Sequence, residues 1–473
     1  MGSRSRFTNH LPRIRHTAVS FFNRDGSPVP NPKKDMKLPL LLAVLGTACL
    51  LAEPSVTLEA PPAAPAALPA GPPEPDTADP KPLQAPVNQG LAWLAKTQNP
   101  DGGWGQGGGW RMNLSNQGRG GRVEGADVPD PSDLGNTAIV LQAFLRSGTR
   151  LDRGDYAAAA SRAASFILDR VEKCDTDSLY VTDVRDTQLQ SKIGRYVDTF
   201  LAVQILSDLK GRLSGSDEER RAALLDKVVA KIEKHQQDDG AFAGNSGWAA
   251  TLSQGLCSNA LNSAFAAGAT IQLATLEKDH AQNAEGLDRA SGQVAAVGGV
   301  SDAGVDIYRY AAKLRGMTGY QWNNSVRRDE LAELVASPSA PDAAKTQAAE
   351  ELKKIDAADA DQQVLLENVA EQVKDARFVA GFGNNGGEEF ISYMNIGEAL
   401  RAKGGKDWHD WQERMFKELG DAQNADGSWA GQHCITGRTF CTATALMVLM
   451  TDRAPQPAPS PVAASEQDQP QEP

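Results

Sequence analysis

Aromatic residues, positive charge and well-known catalytic motifs are all scarce in this sequence. Only 6% of its 473 residues are Phe, Trp or Tyr, which argues against a wide cleft that stacks sugar rings. The formal net charge of −12 makes nucleic acid and anionic membrane surfaces unexpected partners. No Walker loop, dinucleotide fingerprint, H-E-x-x-H or G-x-S-x-G occurs. Nucleotide-binding, zincin and serine-hydrolase functions therefore have no support.

Long apolar runs are absent except near the N-terminus. The run at 38–52 is shorter than the about 20 residues that span a membrane. Basic residues precede it and small residues lie near its end, as in a secretory signal peptide. We predict that translation begins at Met36 and that 1–52 comprises an over-extended start plus this signal. The protein is then exported, to the periplasm or cell envelope.

Cysteine is also rare, with five in the chain. Cys49, after GTA at the end of the apolar run, is a candidate lipid anchor and the only membrane attachment that we consider. Without it four cysteines remain, at 174, 257, 434 and 441. An even number in an exported protein permits two disulfides, in three possible connectivities.

Pro- and Ala-rich segments flank the part of the chain that is able to fold. The segment 53–83 contains PPAAPAALPAGPPEP and is predicted to be an extended linker. The tail 453–473 has the same composition and is predicted to be disordered. The region 84–452 between them is long enough for one large domain or two medium ones.

A short phrase of Gln, an Asp-Gly turn and an aromatic residue occurs three times: QNPDGGW at 98–104, QQDDGAF at 236–242 and QNADGSW at 423–429. Each Gln continues the apolar stripe of the preceding helical pattern, so its amide faces inward and needs hydrogen-bond partners. Gly tolerates the positive φ of a tight turn, and the aromatic residue packs back over it. We interpret these repeats as structural staples, made by Gln98 and Trp104, Gln236 and Phe242, and Gln423 and Trp429.

Two kinds of helical segment alternate along the chain. Six are apolar nearly all round and are predicted to be buried on most sides, at 132–145, 196–209, 255–269, 302–314, 388–400 and 439–450. Six amphipathic segments precede them, at 84–98, 155–172, 217–237, 272–294, 342–375 and 407–423. Strand signals are scarce. The alternation predicts an all-α protein, an (α/α)6 toroid with an inner and an outer ring of six helices each.

The repeats resemble those of the prenyltransferase and squalene-cyclase superfamily. The matching segments are QNADGSWAG, followed by TATAL, and QNPDGGWG, followed by NTAIVLQAF. The resemblance covers 84–452 and implies the toroid for which this superfamily is known. It does not by itself imply an activity, because unrelated functions share this architecture.

The catalytic motifs of that superfamily are not intact here. Its cyclases protonate an alkene with an Asp in a D-x-D-D setting, which does not occur, and the related D-C-T-A-E form survives only as FCTAT with Phe440 in place of the Asp. Its protein prenyltransferases hold zinc with an Asp-x-Cys pair and a His. Here Gly255 replaces the Asp before Cys257, and Cys441 replaces the His. The resemblance therefore carries neither of these reactions over to this chain.

His433, Cys434 and Cys441 follow the third repeat, and the other two copies have no counterpart. They form an alternative zinc ligand set, and zinc is the only cofactor that we consider. In an exported protein, however, Cys434 and Cys441 can close a short disulfide loop. Buried free thiols are the third alternative. We favour the disulfide.

Acidic, Tyr and Arg side chains at the starts of the buried helices are the catalytic candidates, as in the lyases and glycosidases that also use toroids. DIYRY and GGEEFISY combine these residue types and provide Asp306, Tyr308, Arg309, Glu388, Glu389 and Tyr393. A second set is expected to line the cavity, namely Asp133, Tyr196, Asp198, Cys257, Asn259 and Arg438. For each acid the alternative is helix capping, because carboxylates stabilise helix N-termini.

Two functions from different classes follow. The first is a binding or scaffold protein whose central cavity takes a hydrophobic small molecule, such as an isoprenoid or lipid, or a peptide. The second is an enzyme of the toroid class, terpenoid or prenyl transferase-like or polysaccharide lyase or glycosidase-like, that uses the Asp, Glu, Tyr and Arg groups. A metal-dependent transferase is a third hypothesis. The ligand and the oligomeric state stay open.

Overall fold

The computed structural model describes residues 82–113, 118–122, 129–297, 300–383 and 385–455. The predicted start and signal peptide, with Met36 and Cys49, lie outside these residues, as do most of the predicted linker and tail. Within the described ranges, no helix is both long enough and apolar enough to cross a membrane.

Fourteen α-helices account for most of the regular structure in the described residues. In chain order they are α1 (Ala85–Lys96), α2 (Leu134–Arg146), α3 (Ala157–Lys173), α4 (Gln188–Lys192), α5 (Val197–Asp208), α6 (Ser216–His235), α7 (Ala250–Ala266), α8 (Leu273–Ala284), α9 (Asp306–Ala336), α10 (Asp342–Gln372), α11 (Ala376–Val379), α12 (Gly387–Lys403), α13 (Gly405–Ala422) and α14 (Arg438–Leu449). A 3-10 turn at Thr451–Arg453 follows. Strands β1 (Trp110–Asn113) and β2 (Gly118–Arg122) form one antiparallel pair. The prediction of an all-α protein is confirmed apart from this pair.

Each of the twelve predicted helical segments corresponds to a helix, although two differ in length. Helix α8 ends at Ala284, earlier than predicted, because Gly286 takes a positive φ of 77° that stops the helix. Helix α9 continues to Ala336, well beyond the predicted end at 314. Its second half packs along α10, where Arg327 forms an ion pair with Glu351. The partner helix therefore stabilises the extension.

The buried helices contact one another in a closed cycle. Helix α2 packs against α5, α5 against α7, α7 against α9, α9 against α12, α12 against α14, and α14 against α2. Each amphipathic helix packs against this set: α1 on α14, α3 on α2, α6 on α5, α8 and α10 on α9, and α13 on α12. Helix α2 is buried from Leu134 to Leu145, as expected for a helix that is apolar on most sides.

The amide of each repeat glutamine reaches the next amphipathic helix. In all three repeats Nε2 donates to a backbone carbonyl of that helix. Gln98 donates to Ala159 of α3 at 2.9 Å, and Gln236 donates to Thr275 of α8 at 3.2 Å. Gln423 donates to Pro86 of α1 at 2.9 Å. In the first and third repeats Nε2 also donates to a Gly carbonyl of its own turn. Gln423 therefore connects the last amphipathic helix to the first.

The aromatic residues of the repeats lie at the same junctions, where one amphipathic helix meets the next. The indole N–H of Trp104 donates to the carbonyl of Leu94 at 2.9 Å, and that of Trp429 donates to Leu419 at 2.8 Å. Both indoles are almost completely buried. Phe242 is also buried but has no N–H, so the second repeat lacks this bond. The second junction is therefore held by fewer hydrogen bonds than the other two.

Replacing Gln423 with Ala is expected to lower the free energy of unfolding by about 2 kcal/mol, because two carbonyls lose their donor. Gln236→Ala, which removes one bond, should cost less. Urea denaturation followed by circular dichroism measures both. Gln363, an exposed helical glutamine that bonds only Glu367, supplies the control Gln363→Ala. Equal effects of Gln423→Ala and Gln363→Ala would contradict the prediction.

Candidate functional site

Two adjacent glutamates open helix α12. Glu388 and Glu389 follow the N-cap Gly386, where the positive end of the helix dipole stabilises acidic groups. Both side chains are 0% exposed. Tyr308, in the first turn of α9, and His433, in the loop between α13 and α14, both reach Glu389. We call Glu388, Glu389, Tyr308 and His433 the carboxylate cluster.

Glu389 is contacted at both carboxylate oxygens. Its Oε1 accepts hydrogen bonds from the Tyr308 hydroxyl and from the backbone N–H of Phe382, the latter at 3.0 Å. Its Oε2 lies 3.3 Å from His433 Nε2. The His433 side chain is 14% exposed. Burial and the nearby carboxylates raise the pKa of Tyr308 far above its ordinary value, so the phenol remains protonated and acts as donor.

Glu388 is the less satisfied of the two glutamates. Its Oε2 accepts a hydrogen bond from the Ile435 N–H at 3.2 Å. Its Oε1 is buried, and within the described ranges no hydrogen-bond donor reaches it. Burial, followed by the charge of Glu389, raises the pKa of Glu388 from 4.5 to about 8. At neutral pH Glu388 therefore holds a proton unless a cation takes its place.

Two glycines allow the backbone to approach the cluster closely. A Cβ on Gly381 would lie 2.6 Å from Glu389 Oε1, and the φ of Gly381 is 56°. A Cβ on Gly386 would lie 2.8 Å from His433 Cε1 and 2.9 Å from Glu389 Oε2. Any larger residue at position 386 would therefore intrude between His433 and Glu389.

Seven carboxylates are buried in the part of the chain that the structure describes: Asp133, Asp198, Asp279, Asp361, Glu388, Glu389 and Glu398. In the five outside the cluster, both oxygens accept a hydrogen bond or an ion pair. Glu388 Oε1 and Glu389 Oε2 are buried and accept no hydrogen bond from the described residues. Of these seven acids, Glu388 is the one with an oxygen that has neither a hydrogen bond nor an ion pair among the described residues, because Glu389 Oε2 lies 3.3 Å from His433 Nε2.

Glu398 shows how the same helix neutralises a buried acid elsewhere. Its carboxylate lies 2.6 Å from Arg146 and 3.0 Å from Arg315. Burial alone would raise the pKa of Glu398, but the two arginines hold it below its ordinary value. No Arg or Lys of the described residues forms an ion pair with Glu388 or Glu389. The cluster therefore lacks the compensating charge that Glu398 has.

Asp133 and Asp198, which the sequence assigns to the cavity, act as hydrogen-bonded caps in the structure. Asp133 accepts two bonds from Asn136, both at 2.8 Å, and begins α2. Asp198 accepts from Gly135 N–H at 2.8 Å and from Gln190 Nε2 at 2.6 Å. Burial and the charge of Asp198 raise the pKa of Asp133 to about 7. Capping, the alternative raised from the sequence, accounts for both residues.

The structure brings three of the six catalytic candidates together and places the other three elsewhere. Arg309 pairs with Asp302 and Asp306, and the Asp306 side chain is 65% exposed. The Tyr393 hydroxyl donates to the Val379 carbonyl at 2.8 Å. These contacts direct Asp306, Arg309 and the Tyr393 hydroxyl to partners outside the cluster.

The remaining cavity candidates have partners of their own. Tyr196 donates to the Ala243 carbonyl at 2.9 Å, and Asn259 accepts a hydrogen bond from Arg315. Arg438 forms an ion pair with Asp426 at 2.8 Å. Cys257 is buried in α7. Arg438 also lies over the ring of Trp93, with 5.4 Å to its centroid. None of these contacts joins the carboxylate cluster.

The structure contains no disulfide between Cys434 and Cys441 in the described loop and helix. Cys441 lies buried in the first turn of α14, and its thiol donates to the Ile435 carbonyl at 3.5 Å. Burial and the charge of Glu388 raise the pKa of this thiol well above its ordinary value. The favoured disulfide is therefore absent, because the start of α14 directs the Cys441 sulfur at Ile435. Of the suggested zinc ligands, His433 lies within 3.3 Å of a carboxylate oxygen of Glu389.

Two exposed aromatic side chains border the carboxylate cluster. Phe382, 51% exposed, lies beside His433 with 5.1 Å between ring centroids. Trp248, 44% exposed, meets Phe382 edge-on at 6.3 Å, and Lys192 Nζ lies 5.5 Å from the Trp248 ring. We call Trp248 and Phe382 the aromatic rim. Sequence reasoning missed both, although a single aromatic residue in the glycine-rich GFGNNGG segment was an available signal.

Charged and amide side chains join four of the buried helices. Arg146 of α2 and Arg315 of α9 both pair with Glu398 of α12, and Gln142 of α2 donates to Asp208 of α5 at 2.9 Å. We call these five residues the polar layer. It fills part of the space between the buried helices with hydrogen-bonded groups rather than apolar ones.

Comparison with known proteins provides no family assignment. No family model matches the chain, and no curated protein matches it. The resemblance to the prenyltransferase and squalene-cyclase superfamily therefore rests on the repeat residues themselves.

The raised pKa of Glu388 predicts a pH-dependent stability. A folded-state pKa of about 8 against 4.5 means that Glu388 costs increasing stability as pH rises from about 4.5 to 8. Glu388→Gln should therefore stabilise the protein more at pH 9 than at pH 5. The gain in the free energy of unfolding should grow by about 1.4 kcal/mol for each unit between the folded and unfolded pKa values of Glu388. Melting temperatures of both proteins in EDTA-containing buffers, at about pH 5, 7 and 9, test this sign. A difference that is constant with pH would contradict it.

Proposed function

We propose that the protein is an exported (α/α)6 toroid that binds a ligand at the carboxylate cluster, reached past the aromatic rim. The closed cycle of contacts among the six buried helices supports the toroid, as does the packing of an amphipathic helix on each part of the cycle. The amide of Gln423, which connects the last amphipathic helix to the first, adds to that support. Export follows from the signal peptide predicted after Met36, whose apolar run is 38–52.

The observation that carries the proposal is the unsatisfied glutamate pair. Glu388 Oε1 is buried without a donor among the described residues, and Glu389 Oε2 accepts no hydrogen bond although His433 Nε2 lies 3.3 Å away. Burying ionised carboxylates in this way is costly, so the fold neutralises them with a proton or with something bound. His433, at 14% exposure, and the more exposed Phe382 show that the pair is buried close to the surface. Buried polar groups beside an exposed apolar surface are the usual composition of a ligand site.

The surroundings favour a compact ligand over a long apolar chain. Trp248 and Phe382 are exposed aromatic side chains that suit an apolar or flat group, and the cluster suits a polar one. The polar layer disfavours a shaft for an extended isoprenoid, because it places charged and amide groups between the buried helices, where such a chain needs an apolar lining. Of the two ligand classes expected from the sequence, a peptide or a compact amphipathic molecule therefore fits best.

Removing the aromatic rim is expected to abolish ligand retention. The purified protein is incubated separately with a tryptic peptide mixture and with a total lipid extract, and retained mass is recorded by native mass spectrometry. Peptides or compact amphiphiles should bind, and the double variant Trp248→Ala, Phe382→Ala should retain at least about tenfold less, since anchoring aromatic residues carry much of the binding energy.

Phe265 provides the matched control, because it is 41% exposed but takes no part in the rim. Phe265→Ala should retain as much ligand as the unmodified protein. If the protein retains no molecule from either mixture, the proposal is wrong. Equal losses in the rim variant and in Phe265→Ala would show that the rim is not the entrance.

An enzyme at the same cluster is the second candidate. The observation in its favour is a glutamate with a pKa of about 8 beside a carboxylate and a phenol, an arrangement suited to donating a proton near neutral pH. Glu388 would be the proton donor, and Tyr308 would orient Glu389.

If turnover occurs, Glu388→Gln should lower kcat by about 100-fold or more, since general acids contribute that much. Product formation from any molecule retained in the native mass experiment measures it. Tyr308→Phe should lower kcat less, because the phenol positions Glu389 rather than donating the proton. Asp133→Asn, in a capped acid outside the cluster, is the control. Unchanged turnover in both cluster variants would remove the enzyme hypothesis.

A further inference from the structure

We infer that Glu388, Glu389 and His433 form a binding site for one divalent transition-metal ion, of which Zn²⁺ is the representative. This inference rests on the proposed function, because it names what the same cluster binds. It differs from the ligand sets that the sequence suggests, which depend on cysteines. His433 is the one residue that this site shares with the set His433, Cys434 and Cys441.

The distances suit a single ion. One ligand atom from each of the three residues can be chosen so that all lie within 4.8 Å of one another. Glu389 Oε2 and His433 Nε2 are 3.3 Å apart. Ligand atoms that share an ion at about 2.1 Å lie roughly 3 to 4 Å from each other. Small side-chain rotations would therefore bring all three atoms to one ion.

The charges in the site also favour a cation. Glu388 Oε1 and Glu389 Oε2, which are buried and accept no hydrogen bond from the described residues, belong to two of the three ligands. Glu398, on the same helix, has two arginines, whereas Glu388 and Glu389 have neither an Arg nor a Lys ion pair among the described residues. A divalent ion would supply the missing positive charge in a region where attraction between charges is strong.

The space for the ion is maintained by glycine. A Cβ on Gly386 would lie 2.8 Å from the His433 ring and 2.9 Å from Glu389 Oε2, between two of the ligands. Glu389 Oε1 is fixed by Tyr308 and by the Phe382 N–H, so its other oxygen is directed towards His433. Hydrogen bonds of this kind orient the ligands in many metal sites.

The ligand types select the class of metal. An imidazole nitrogen with two carboxylates suits Zn²⁺, Mn²⁺ or Co²⁺, whereas Ca²⁺ and Mg²⁺ prefer oxygen ligands alone. Sites with three protein ligands usually leave a coordination position for water or a bound molecule. Because Phe382 lies beside His433, with 5.1 Å between ring centroids, that position is expected to be reachable from the aromatic rim. The polar group of the ligand would then be one that coordinates metal, such as a carboxylate or phosphate.

The test is a metal titration of the full chain after treatment with EDTA and removal of the chelator. Isothermal titration with Zn²⁺ should show one tight site per chain and a raised melting temperature, and Mg²⁺ and Ca²⁺ should bind far more weakly. His433→Ala and Glu389→Gln should weaken Zn²⁺ binding by at least about tenfold. Gly386→Ala, which removes no ligand but fills the space, should also weaken it. His235→Ala is the matched histidine control and should bind normally, since His235 contacts the Lys231 carbonyl.

A cobalt experiment keeps the proposal testable if a variant folds poorly. Co²⁺ bound by the unmodified protein should produce visible d–d absorption that Zn²⁺ displaces. His433→Cys should add a near-ultraviolet charge-transfer band from thiolate to cobalt, because the new sulfur would be a ligand. Absence of tight Zn²⁺ binding, or binding unaffected by His433→Ala and Glu389→Gln, would overturn the inference.

Failure of the metal site and failure of the proposed function are distinguishable. The titration contains no organic molecule, so it can succeed even when no ligand is retained. Conversely, retention of peptides in EDTA that depends on Trp248 and Phe382 would support the proposed function alone. Retention that requires added Zn²⁺ would connect the two.

Discussion

The hydrogen bonds of the three repeat glutamines hold the helices in the order on which the rest of the structure depends. Each amide joins the end of one amphipathic helix to the start of the next, and Gln423 reaches Pro86 and so connects the last helix to the first. The buried helices contact one another in a closed cycle within this frame. That closure keeps the starts of α9 and α12 near the loop before α14, which is how Tyr308 and His433 both reach Glu389.

Within this frame the buried acids are neutralised in different ways. Two arginines offset the burial of Glu398 and keep its pKa below the ordinary value. Asp133 and Asp198 have backbone and amide donors, but burial still raises the pKa of both. Glu388 and Glu389 lack that compensation at one oxygen each. A proton on Glu388 or a cation in the cluster restores the balance. A proton and a metal ion are therefore alternative ways to neutralise the two buried glutamates, and the Zn²⁺ titration distinguishes them.

Much of the fold could be predicted from the sequence, and three of the six catalytic candidates that it suggested lie together in the carboxylate cluster. The helices follow from apolar periodicity, except that α8 is shorter and α9 longer, since a glycine and a partner helix set those ends. Tyr308, Glu388 and Glu389 were found because acids and phenols at helix starts are a recognisable pattern. The same pattern also selected Arg309 and Asp306, which pair with each other instead. Periodicity identifies a buried position but not the neighbour that it meets.

The sequence by itself determined the alternating helices, the repeat glutamines with their turns, and the acidic start of α12, because these depend on local spacing and backbone preference. Only the tertiary structure decided that His433 reaches Glu389, and that Cys441 faces Ile435 instead of a disulfide partner. It also decided that Phe382 and Trp248, far apart in the chain, border one site. Such contacts arise from the closure of the helix cycle, which no short stretch of sequence contains.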